Sequence, residues 1–252
     1  MDLQLQGARV LVTGGTRGIG RAIVEAFLDE GAVVGFCARQ TEEVEGTQEA
    51  LGGRGTVTGS VVDVGDADAL AAWVERSAAD FGGLDVVVAN VSALAIPDTE
   101  ESWQASLNVD VMHTVRLVRA ALPHLERSSQ ASIIAISSVS GRESDFASGP
   151  YGTAKTAIVG YLHGLAMQLA DKGIRANTVS PGNTYFAGGV WASIETADPA
   201  LFETARGLNP TGHMGTPEEV AAPVVFLASP VASRISGTNL VVDGALTRGI
   251  QL

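Results

Sequence analysis

Short apolar runs rich in Val, Ile and Ala alternate along this chain with longer segments that carry helical periodicity. The runs predict strands near residues 8–13, 32–37, 56–62, 84–89, 132–137, 174–179 and 239–242. The segments between them predict helices near residues 18–30, 41–51, 67–81, 100–127, 151–171 and 217–228. Strands that alternate with helices are typical of parallel sheets, so we predict an α/β fold, a doubly wound parallel sheet of about seven strands with helices on both faces.

Length and composition favour one domain. At 252 residues the chain can bury a large fraction of its surface in one α/β core, and no obvious linker divides it. Hydrophobic residues make up 46%, but no apolar run approaches the length that spans a bilayer. The first residues lack the pattern of a signal peptide, and the single Cys37 excludes an intramolecular disulfide. We therefore expect a cytoplasmic protein with no membrane partner.

The charge of the chain argues against polyanionic partners. A formal net charge of −12 repels phosphate backbones, and no cluster of Lys and Arg compensates for it. Nucleic acid is therefore not an expected partner. The His and Cys residues also lack metal-binding spacing, so no metal site is predicted. We expect His113 and His163 to be packing residues within their helices.

A glycine-rich loop follows the first predicted strand and precedes the first predicted helix. Backbone can approach a diphosphate closely where no Cβ intervenes, and the free N–H groups of the first helical turn then face the anion. Three residues separate Gly14 from Gly18, so the spacing differs from the common G-x-G-x-x-G pattern. The loop predicts a nucleotide-binding site whose candidate contacts are Gly14, Thr16, Arg17, Gly18, Ile19 and Gly20.

A second cluster of candidate residues points to proton-transfer chemistry. Tyr151 and Lys155 are four residues apart in a predicted helix, so they share one helix face. A nearby ammonium favours the phenolate, which lets a Tyr exchange protons near neutral pH. Ser138 follows a buried strand, and its hydroxyl is expected at the carboxyl edge of the sheet, where ligands bind. The alternative is a helix-surface pair in which the Lys stem covers the ring.

These motifs occur together in one known family. The chain resembles the short-chain dehydrogenases/reductases over essentially its full length, because the order and spacing of the family are matched by Thr13-Gly14-x-x-x-Gly18-x-Gly20, Asp63-Val64, Asn90, Ser138, Tyr151, Lys155 and Pro181-Gly182. The resemblance implies a single NAD(P)-binding Rossmann domain over residues 1–252. It also implies reversible hydride transfer between nicotinamide C4 and a carbonyl carbon. In that scheme Ser138 hydrogen-bonds the substrate oxygen, Tyr151 donates or accepts the proton, and Lys155 holds the nicotinamide ribose.

The resemblance assigns further residues to the cofactor. Asp63 is expected to hydrogen-bond the adenine amino group while Val64 packs on the ring, although Asp63 can also be a plain strand-terminating Asp. Asn90 is kept, but Val91 stands where the family has Ala, and Ser92 stands where it has Gly. The larger Val91 is expected to crowd the floor beneath the cofactor ribose.

The family seats the nicotinamide carboxamide near the end of the sixth strand, here at Pro181 and Gly182. Thr184 is our candidate for this contact. The usual Thr of the family lies two positions later, where this chain has Phe186.

The end of the second strand bears on the choice between the two nicotinamide cofactors. An NAD enzyme usually carries a carboxylate there for the ribose hydroxyl, and this chain has Ala38 and Arg39 with no acid available. Arg39 and Arg17 are suited to clamp a 2′-phosphate. We therefore predict NADP(H) over NAD(H); the alternative is that both arginines are solvated surface residues.

The family normally carries an Asn that kinks the long central helix and holds a water linking the Lys to solvent. Counting from Trp103 and from Pro123 places Asp110 at this position. Asn108 is two residues earlier and should point elsewhere. A carboxylate there can accept the same hydrogen bonds, favour the cationic form of Lys155 and offset part of its effect on Tyr151. The alternative is a surface Asp and a different register.

Residues 183–214 are predicted to form a mobile substrate lid with one or two short helices. Their aromatic side chains favour a substrate with apolar surface, or they only pack the lid down. The loop at 141–146 is expected to form another wall of the pocket. By resemblance the terminal strand packs at a subunit interface, so a homotetramer is expected.

The sequence leaves the substrate open. The first hypothesis is an NADP-dependent carbonyl reductase or alcohol dehydrogenase acting on a small molecule, with the 3-oxoacyl-carrier-protein reductase type as one candidate subtype. No basic docking patch for an acidic acyl carrier is evident. The alternatives are a non-catalytic NADP(H)-binding sensor or scaffold, and a dehydrogenase that oxidises a diol or sugar.

Overall fold

The computed structural model describes residues 1–249. Within them one parallel sheet contains seven strands: β1 Arg9–Thr13, β2 Val33–Ala38, β3 Val57–Val61, β4 Val86–Ala89, β5 Ser132–Ile136, β6 Arg175–Pro181 and β7 Asn239–Val242. Their order in the sheet is β3-β2-β1-β4-β5-β6-β7, and every neighbouring pair is parallel. The predicted doubly wound Rossmann fold is confirmed.

The α-helices connect these strands. They are α1 Gly18–Asp29, α2 Thr41–Leu51, α3 Ala67–Phe81, α4 Glu100–Ala105, α5 His113–Leu125, α6 Pro150–Gln168, α7 Val190–Ala197, α8 Pro199–Gly207 and α9 Pro217–Ala228. Short 3₁₀ turns at Val139–Gly141, Ala170–Lys172 and Pro230–Ala232 complete the helical structure.

Alternating side chains of the strands pack into two separate hydrophobic cores, one on each face of the sheet. Successive side chains of a strand point to opposite faces of the sheet. In β1, Val10 and Val12 pack with α1 and α9 on one face, whereas Leu11 packs with α3, α5 and α6 on the other. The inner strands β1, β2, β4 and β5 are mostly buried on both faces, as expected for a parallel sheet covered by helices, and this explains why their sequences are rich in apolar residues.

The predicted long helix at 100–127 is wrong as a single α-helix. Between α4 and α5, residues Ser106–Met112 form a π-helical segment, which fits more residues into a turn than an α-helix does. Asp110 in this segment is fully buried, whereas Leu107 is half-exposed. The segment thereby sets which side chains of the central helix face the inside of the molecule.

A buried arginine ties the end of α9 to the sheet. Arg175 at the start of β6 donates hydrogen bonds to the carbonyl oxygens of Leu227, Ala228 and Ser229. These include carbonyls that the last turn of a helix leaves without an intrahelical partner. The guanidinium therefore acts as a C-terminal cap that fixes α9 against the sheet.

The strand order reverses beside β1, which pairs with β2 on one side and β4 on the other. Ligands of open α/β sheets bind in the crevice outside the carboxyl ends of the strands at such a reversal. The loops that leave these strand ends carry the candidate residues predicted from the sequence, namely Gly14 after β1, Arg39 after β2, Asp63 after β3, Asn90 after β4, Ser138 after β5 and Gly182 after β6.

Residues 183–214 contain two short helices, α7 and α8. They share a small apolar cluster of their own, in which Trp191, Phe202, Ala205 and Met214 are buried. The rings of Tyr185 and Phe202 also meet edge to face, with centroids 5.8 Å apart. Some of the aromatic side chains of this segment therefore hold its two helices together.

Candidate active site

One cleft runs along the carboxyl edge of the sheet. Its volume is about 910 Å³, and it extends from the glycine loop and Arg39 at one end to Tyr151 and Lys155 at the other. A volume at the upper end of the range of small-molecule sites has room for an extended ligand. The cleft is lined by the predicted site residues other than Gly18, which the Phe186 ring covers, and the buried Asp110, which contacts Lys155.

The glycine loop forms a cradle that side chains would fill. A Cβ on Gly20 would lie 2.0 Å from the carbonyl oxygen of Gly14 and 2.4 Å from Asn90 Nδ2. Gly14 itself has a φ of 72°, which favours glycine. The Asn90 amide holds the loop, since Nδ2 donates to the carbonyl oxygens of Thr13 at 3.0 Å and of Gly14 at 3.2 Å.

Helix α1 begins directly at this cradle. Its N-terminus has no side-chain cap and no acidic residue in its first turn. Such a helix end presents backbone N–H groups and the positive end of the helix dipole. The cradle therefore fits the diphosphate of a dinucleotide.

Two residues of the predicted lid reach over the glycine loop. The ring of Phe186 covers Gly18, where a Cβ would lie 2.5 Å from Cζ. Arg17 Nη1 donates to the carbonyl oxygen of Gly188 at 3.5 Å. On the other side of the loop, Val91 packs against Gly14, where a Cβ would lie 2.9 Å from Val91 Cγ2. Val91 and Phe186, the two residues that differ from the family pattern, therefore both contact the glycine loop.

The part of the cleft around Arg39, at the same end as the glycine loop, suits an adenosine. Val64 is buried, and Asp63 Oδ1 accepts a hydrogen bond from the N–H of Gly65 at 2.9 Å. The expectation that no acid is available here is wrong. Glu43 lines the cleft, and its Oε2 accepts a hydrogen bond from Thr16 Oγ1 at 3.0 Å. The carboxylate comes from the first turn of α2 and not from the strand end, where the family pattern places it.

At the other end of the cleft, Tyr151 and Lys155 lie on one face of α6. The Lys155 ammonium nitrogen is 5.6 Å from the centroid of the Tyr151 ring. Ser138 Oγ accepts a hydrogen bond from the N–H of Ser140 at 3.2 Å. Because that bond uses a lone pair of the hydroxyl, the Ser138 proton stays free to be donated.

Lys155 is buried and held by one ion pair and one hydrogen bond. Its Nζ lies 3.1 Å from Asp110 Oδ1 in the ion pair and donates a hydrogen bond to the carbonyl oxygen of Ile136, also at 3.1 Å. An ammonium has three protons, so at least one remains for a ligand in the cleft. The other oxygen of Asp110 accepts the N–H of Ala93 at 3.0 Å. The carboxylate therefore links Lys155 to the loop after β4.

Asn108 lies elsewhere. Its Nδ2 donates to the carbonyl oxygen of Gly65 at 3.3 Å, and its Oδ1 accepts from Arg116 at 2.7 Å. The side chain therefore anchors the loop after β3, on the adenosine side of the cleft. Asp110, and not Asn108, contacts Lys155.

Thr184 stands at the turn after β6. Its hydroxyl donates to the carbonyl oxygen of Gly182 at 3.1 Å, and the residue bridges to Gly215. Pro181 ends the strand, and the N–H of Gly182 donates to Val242 at 2.9 Å. Pro181, Gly182 and Thr184 all line the cleft.

His113 takes part in a buried network that the sequence did not indicate. Its Nδ1 lies 3.1 Å from the carbonyl oxygen of Val109, and its Nε2 lies 3.0 Å from Thr13 Oγ1. A carbonyl oxygen only accepts, so Nδ1 carries the proton and Nε2 accepts from the Thr13 hydroxyl. Thr13 Oγ1 in turn accepts the N–H of Asn90 at 3.0 Å. The network ties the π-helical segment to the glycine loop.

Burial lowers the pKa of His113 to about 4, and the nearby Lys155 charge acts in the same direction. The folded protein therefore holds a neutral imidazole that the unfolded chain protonates below about pH 6.5. The free energy of unfolding should be insensitive to this group above pH 6.5. Between pH 6.5 and about 4 it should fall by about 1.4 kcal/mol per pH unit.

Urea unfolding at about pH 7.5 and about pH 5.5 measures this loss. The His113→Gln variant should lose this part of the pH dependence, whatever its absolute stability. His163→Gln is the control for loss of an imidazole, since His163 is solvent-exposed and not the packing residue expected from the sequence. An unchanged slope in His113→Gln would assign the acid sensitivity to other groups.

Residues 1–249 contain neither a metal-binding cluster nor a membrane-spanning helix. No group of three or more His, Cys, Asp and Glu side chains among these residues is arranged to hold a metal ion. In the same part of the chain, every helix is too short or too polar to cross a membrane.

Comparison with known proteins places the chain among oxidoreductases. A family model described as enoyl-(acyl carrier protein) reductase matches residues 14–247. Isoepoxydon dehydrogenase of Penicillium expansum is 44% identical over 253 aligned residues, which cover 98% of this chain and 97% of that protein.

Two solved structures are similar over almost the whole chain. The NADPH-bound short chain oxidoreductase from Pseudomonas aeruginosa PAO1, described as containing an atypical catalytic center, superposes with a TM-score of 0.89 at 31% identity, covering 97% of this chain and 100% of that one. L-sorbose reductase from Gluconobacter frateurii, complexed with NADPH and L-sorbose, gives a TM-score of 0.91 at 26% identity, covering 99% and 100%. Both were solved with NADPH bound.

Proposed function

The chain belongs to the short-chain dehydrogenase/reductase family, and on that premise we propose that it is an NADP(H)-dependent oxidoreductase that interconverts a carbonyl compound and a secondary alcohol. The observation that carries this proposal is the placement of two sets of groups in one cleft. Tyr151, Lys155 and Ser138 converge at one end, and the glycine cradle and Arg39 lie at the other.

The proposed roles rest on the contacts of Ser138 and Lys155 and on the position of Tyr151 beside Lys155. The free proton of Ser138 is donated to the substrate oxygen and holds the carbonyl in place. Tyr151 gives its proton to that oxygen in reduction and takes one back in oxidation. The Lys155 charge, near the Tyr151 ring, stabilises the phenolate that remains after the transfer.

The remaining proton of Lys155 fits a ribose hydroxyl of the bound cofactor. When bound, the cofactor supplies the hydride at nicotinamide C4, and the protein contributes orientation and electrostatics. Gly182 and Thr184 form the turn against which its carboxamide would rest. Asp63 and Val64 would hold the adenine.

Arg17 and Arg39 support the preference for NADP(H), because both line the end of the cleft that suits the adenosine. A guanidinium binds a phosphate through charge-assisted hydrogen bonds. The NADPH found in the two similar structures also supports this preference. Glu43 lies at the same end and opposes it.

The cleft favours a substrate with apolar surface. The exposed ring of Phe146 meets Trp191 of the proposed lid edge to face, with ring centroids 6.0 Å apart, and both residues line the cleft.

The names of two similar proteins indicate that they act on isoepoxydon and on L-sorbose. A small cyclic or open-chain hydroxyketone is therefore the first class of substrate to test, in either direction.

The expected homotetramer stays a prediction. Several apolar side chains on the central and neighbouring helices are exposed in the single chain, among them Leu107, Met112 and Met167. Subunit contacts through these helices would remove that apolar surface from water.

The proposal is tested by following NADPH and NADH absorbance with a panel of ketones, diketones, quinones, L-sorbose and isoepoxydon, in both directions. We expect turnover with NADPH on at least one member. Arg39→Gln should weaken NADPH about 10- to 100-fold and leave NADH unchanged, because a hydrogen bond to a charged group is lost. Arg76→Gln, on α3 outside the cleft, is the control for net charge.

The possible outcomes separate the hypotheses. Cofactor binding without hydride transfer on any substrate would favour the non-catalytic binder. Turnover that prefers NADH would contradict the roles proposed for Arg17 and Arg39. Turnover only of alcohols with NADP would favour the oxidative dehydrogenase.

A further inference from the structure

Glu43 lines the cleft together with Arg17 and Arg39, the residues proposed to bind a 2′-phosphate. We propose that Glu43 is a cofactor-selectivity residue, which weakens the binding of the 2′-phosphate and so narrows the preference for NADP(H) over NAD(H). This inference rests on the proposed function, because it assumes that the cleft binds a nicotinamide dinucleotide.

The position of the carboxylate is set by the start of α2. Glu43 lies in the first turn of this helix and lines the cleft together with Arg39 and Gln40, which follow β2. Its Oε2 accepts the hydroxyl proton of Thr16 at 3.0 Å, across 27 positions of the sequence. The hydrogen bond connects α2 to the glycine loop beside the adenosine end.

Charges at this end of the cleft are mixed. Arg17 and Arg39 are exposed cations, and neither forms an ion pair with Glu43 among residues 1–249. The Glu43 carboxylate is therefore left without a cationic partner in the same part of the cleft. A phosphate that binds the arginines meets a like charge there, and like charges repel.

The hydrogen bond between Thr16 and Glu43 has a second effect on phosphate binding. Its hydroxyl is a donor of the glycine loop, and in this structure the proton goes to Glu43. A hydroxyl has one proton, so this donor is not available to a cofactor oxygen while the bond persists. Binding of a phosphate next to Thr16 therefore has to compete with Glu43 for the same proton.

A local role is the main alternative, because acidic residues in the first turn stabilise a helix through its dipole. Glu42 provides the matched control. It lies in the same first turn of α2 and is also exposed, but it does not line the cleft. Glu42→Gln and Glu43→Gln change the net charge and the helix end equally, and only the second changes the cleft.

The experiment is a fluorescence titration of wild type, Glu43→Gln and Glu42→Gln with NADPH and with NADH. Glu43→Gln should bind NADPH on the order of five- to tenfold more tightly, since it removes a like charge near the phosphate. Its affinity for NADH should stay within about twofold of wild type, because NADH has no 2′-phosphate. Raising the salt concentration should shrink the gain for NADPH, as expected for screened surface charges.

Other results would overturn the inference. If Glu43→Gln and Glu42→Gln change both affinities alike, Glu43 acts only on the helix. If Glu43→Gln weakens NADH and leaves NADPH unchanged, the carboxylate binds the ribose hydroxyls and does not repel a phosphate. If wild type binds neither dinucleotide, the proposed function fails as well, so the two failures are distinguishable.

Discussion

Replacing Tyr151 by Phe should lower kcat about 100- to 10,000-fold, the usual contribution of a positioned general acid or base. The substitution removes only the phenolic oxygen, so the ring that packs beside Lys155 remains. The proton for the substrate oxygen would then have to come from water. The loss should fall on kcat, because the cofactor contacts proposed for Lys155 and the glycine loop stay intact.

Steady-state turnover of Tyr151→Phe with NADPH measures the effect on any substrate that the wild type accepts. A titration with NADPH checks that the cofactor still binds. Tyr161→Phe is the matched control, since Tyr161 is a partly buried tyrosine on the same helix and lies outside the cleft. It should keep near wild-type activity. A Tyr151→Phe variant that retains more than about a tenth of kcat would require a different proton donor.

Truncating Asp110 to Ala should destabilise the fold by about 3–5 kcal/mol, the usual cost of leaving one partner of a buried ion pair alone. Both side chains are buried, and the Lys155 ammonium would keep only the carbonyl oxygen of Ile136. The loop after β4 would also lose the acceptor of the Ala93 N–H. We therefore expect a lower free energy of unfolding together with weaker cofactor binding.

Asp110→Asn separates the charge from the shape of this side chain. The amide oxygen can still accept one hydrogen bond, so the variant should fold with a smaller loss than the Ala variant. Without the negative charge, the buried Lys155 ammonium loses its ion-pair partner, so the variant should still be less stable than wild type.

Urea unfolding of the two Asp110 variants measures these losses of stability. Lys155→Met and the double variant with Asp110→Ala complete a cycle that isolates the pairwise energy. If the double variant is more stable than either single variant, the unpaired buried charge of the single variants causes their loss of stability. Equal stability of wild type and Asp110→Ala would contradict the importance of this ion pair for folding.

The predicted helix at 100–127 shows where local patterns stop being informative. Apolar periodicity correctly indicated helical structure, but it did not indicate the π-helical turn at Ser106–Met112, because one such turn barely changes the pattern. Comparison with the family placed Asp110 at the kink by counting residues. The distance of 3.1 Å to Lys155 became visible only in the folded chain.

Glu43 and His113 were missed for a related reason. A glutamate in the first turn of α2 has the sequence signature of an ordinary helix start. A histidine on a helical segment has the signature of a packing residue. Their hydrogen bonds to Thr16 and Thr13 join positions that are 27 and 100 residues apart. Nothing in the local sequence around either residue indicates these partners.

The sequence by itself determined the alternating strands and helices, the parallel sheet, the glycine loop and the spacing of Tyr151 and Lys155. Each of these depends on residues close together in the chain, where backbone geometry sets which side chains share a face. Only the tertiary structure decided the partners of Lys155, the position of Glu43 in the cleft and the neutral state of His113. Those features depend on how separate elements pack against each other and on how much water their packing excludes, and both are properties of the whole fold.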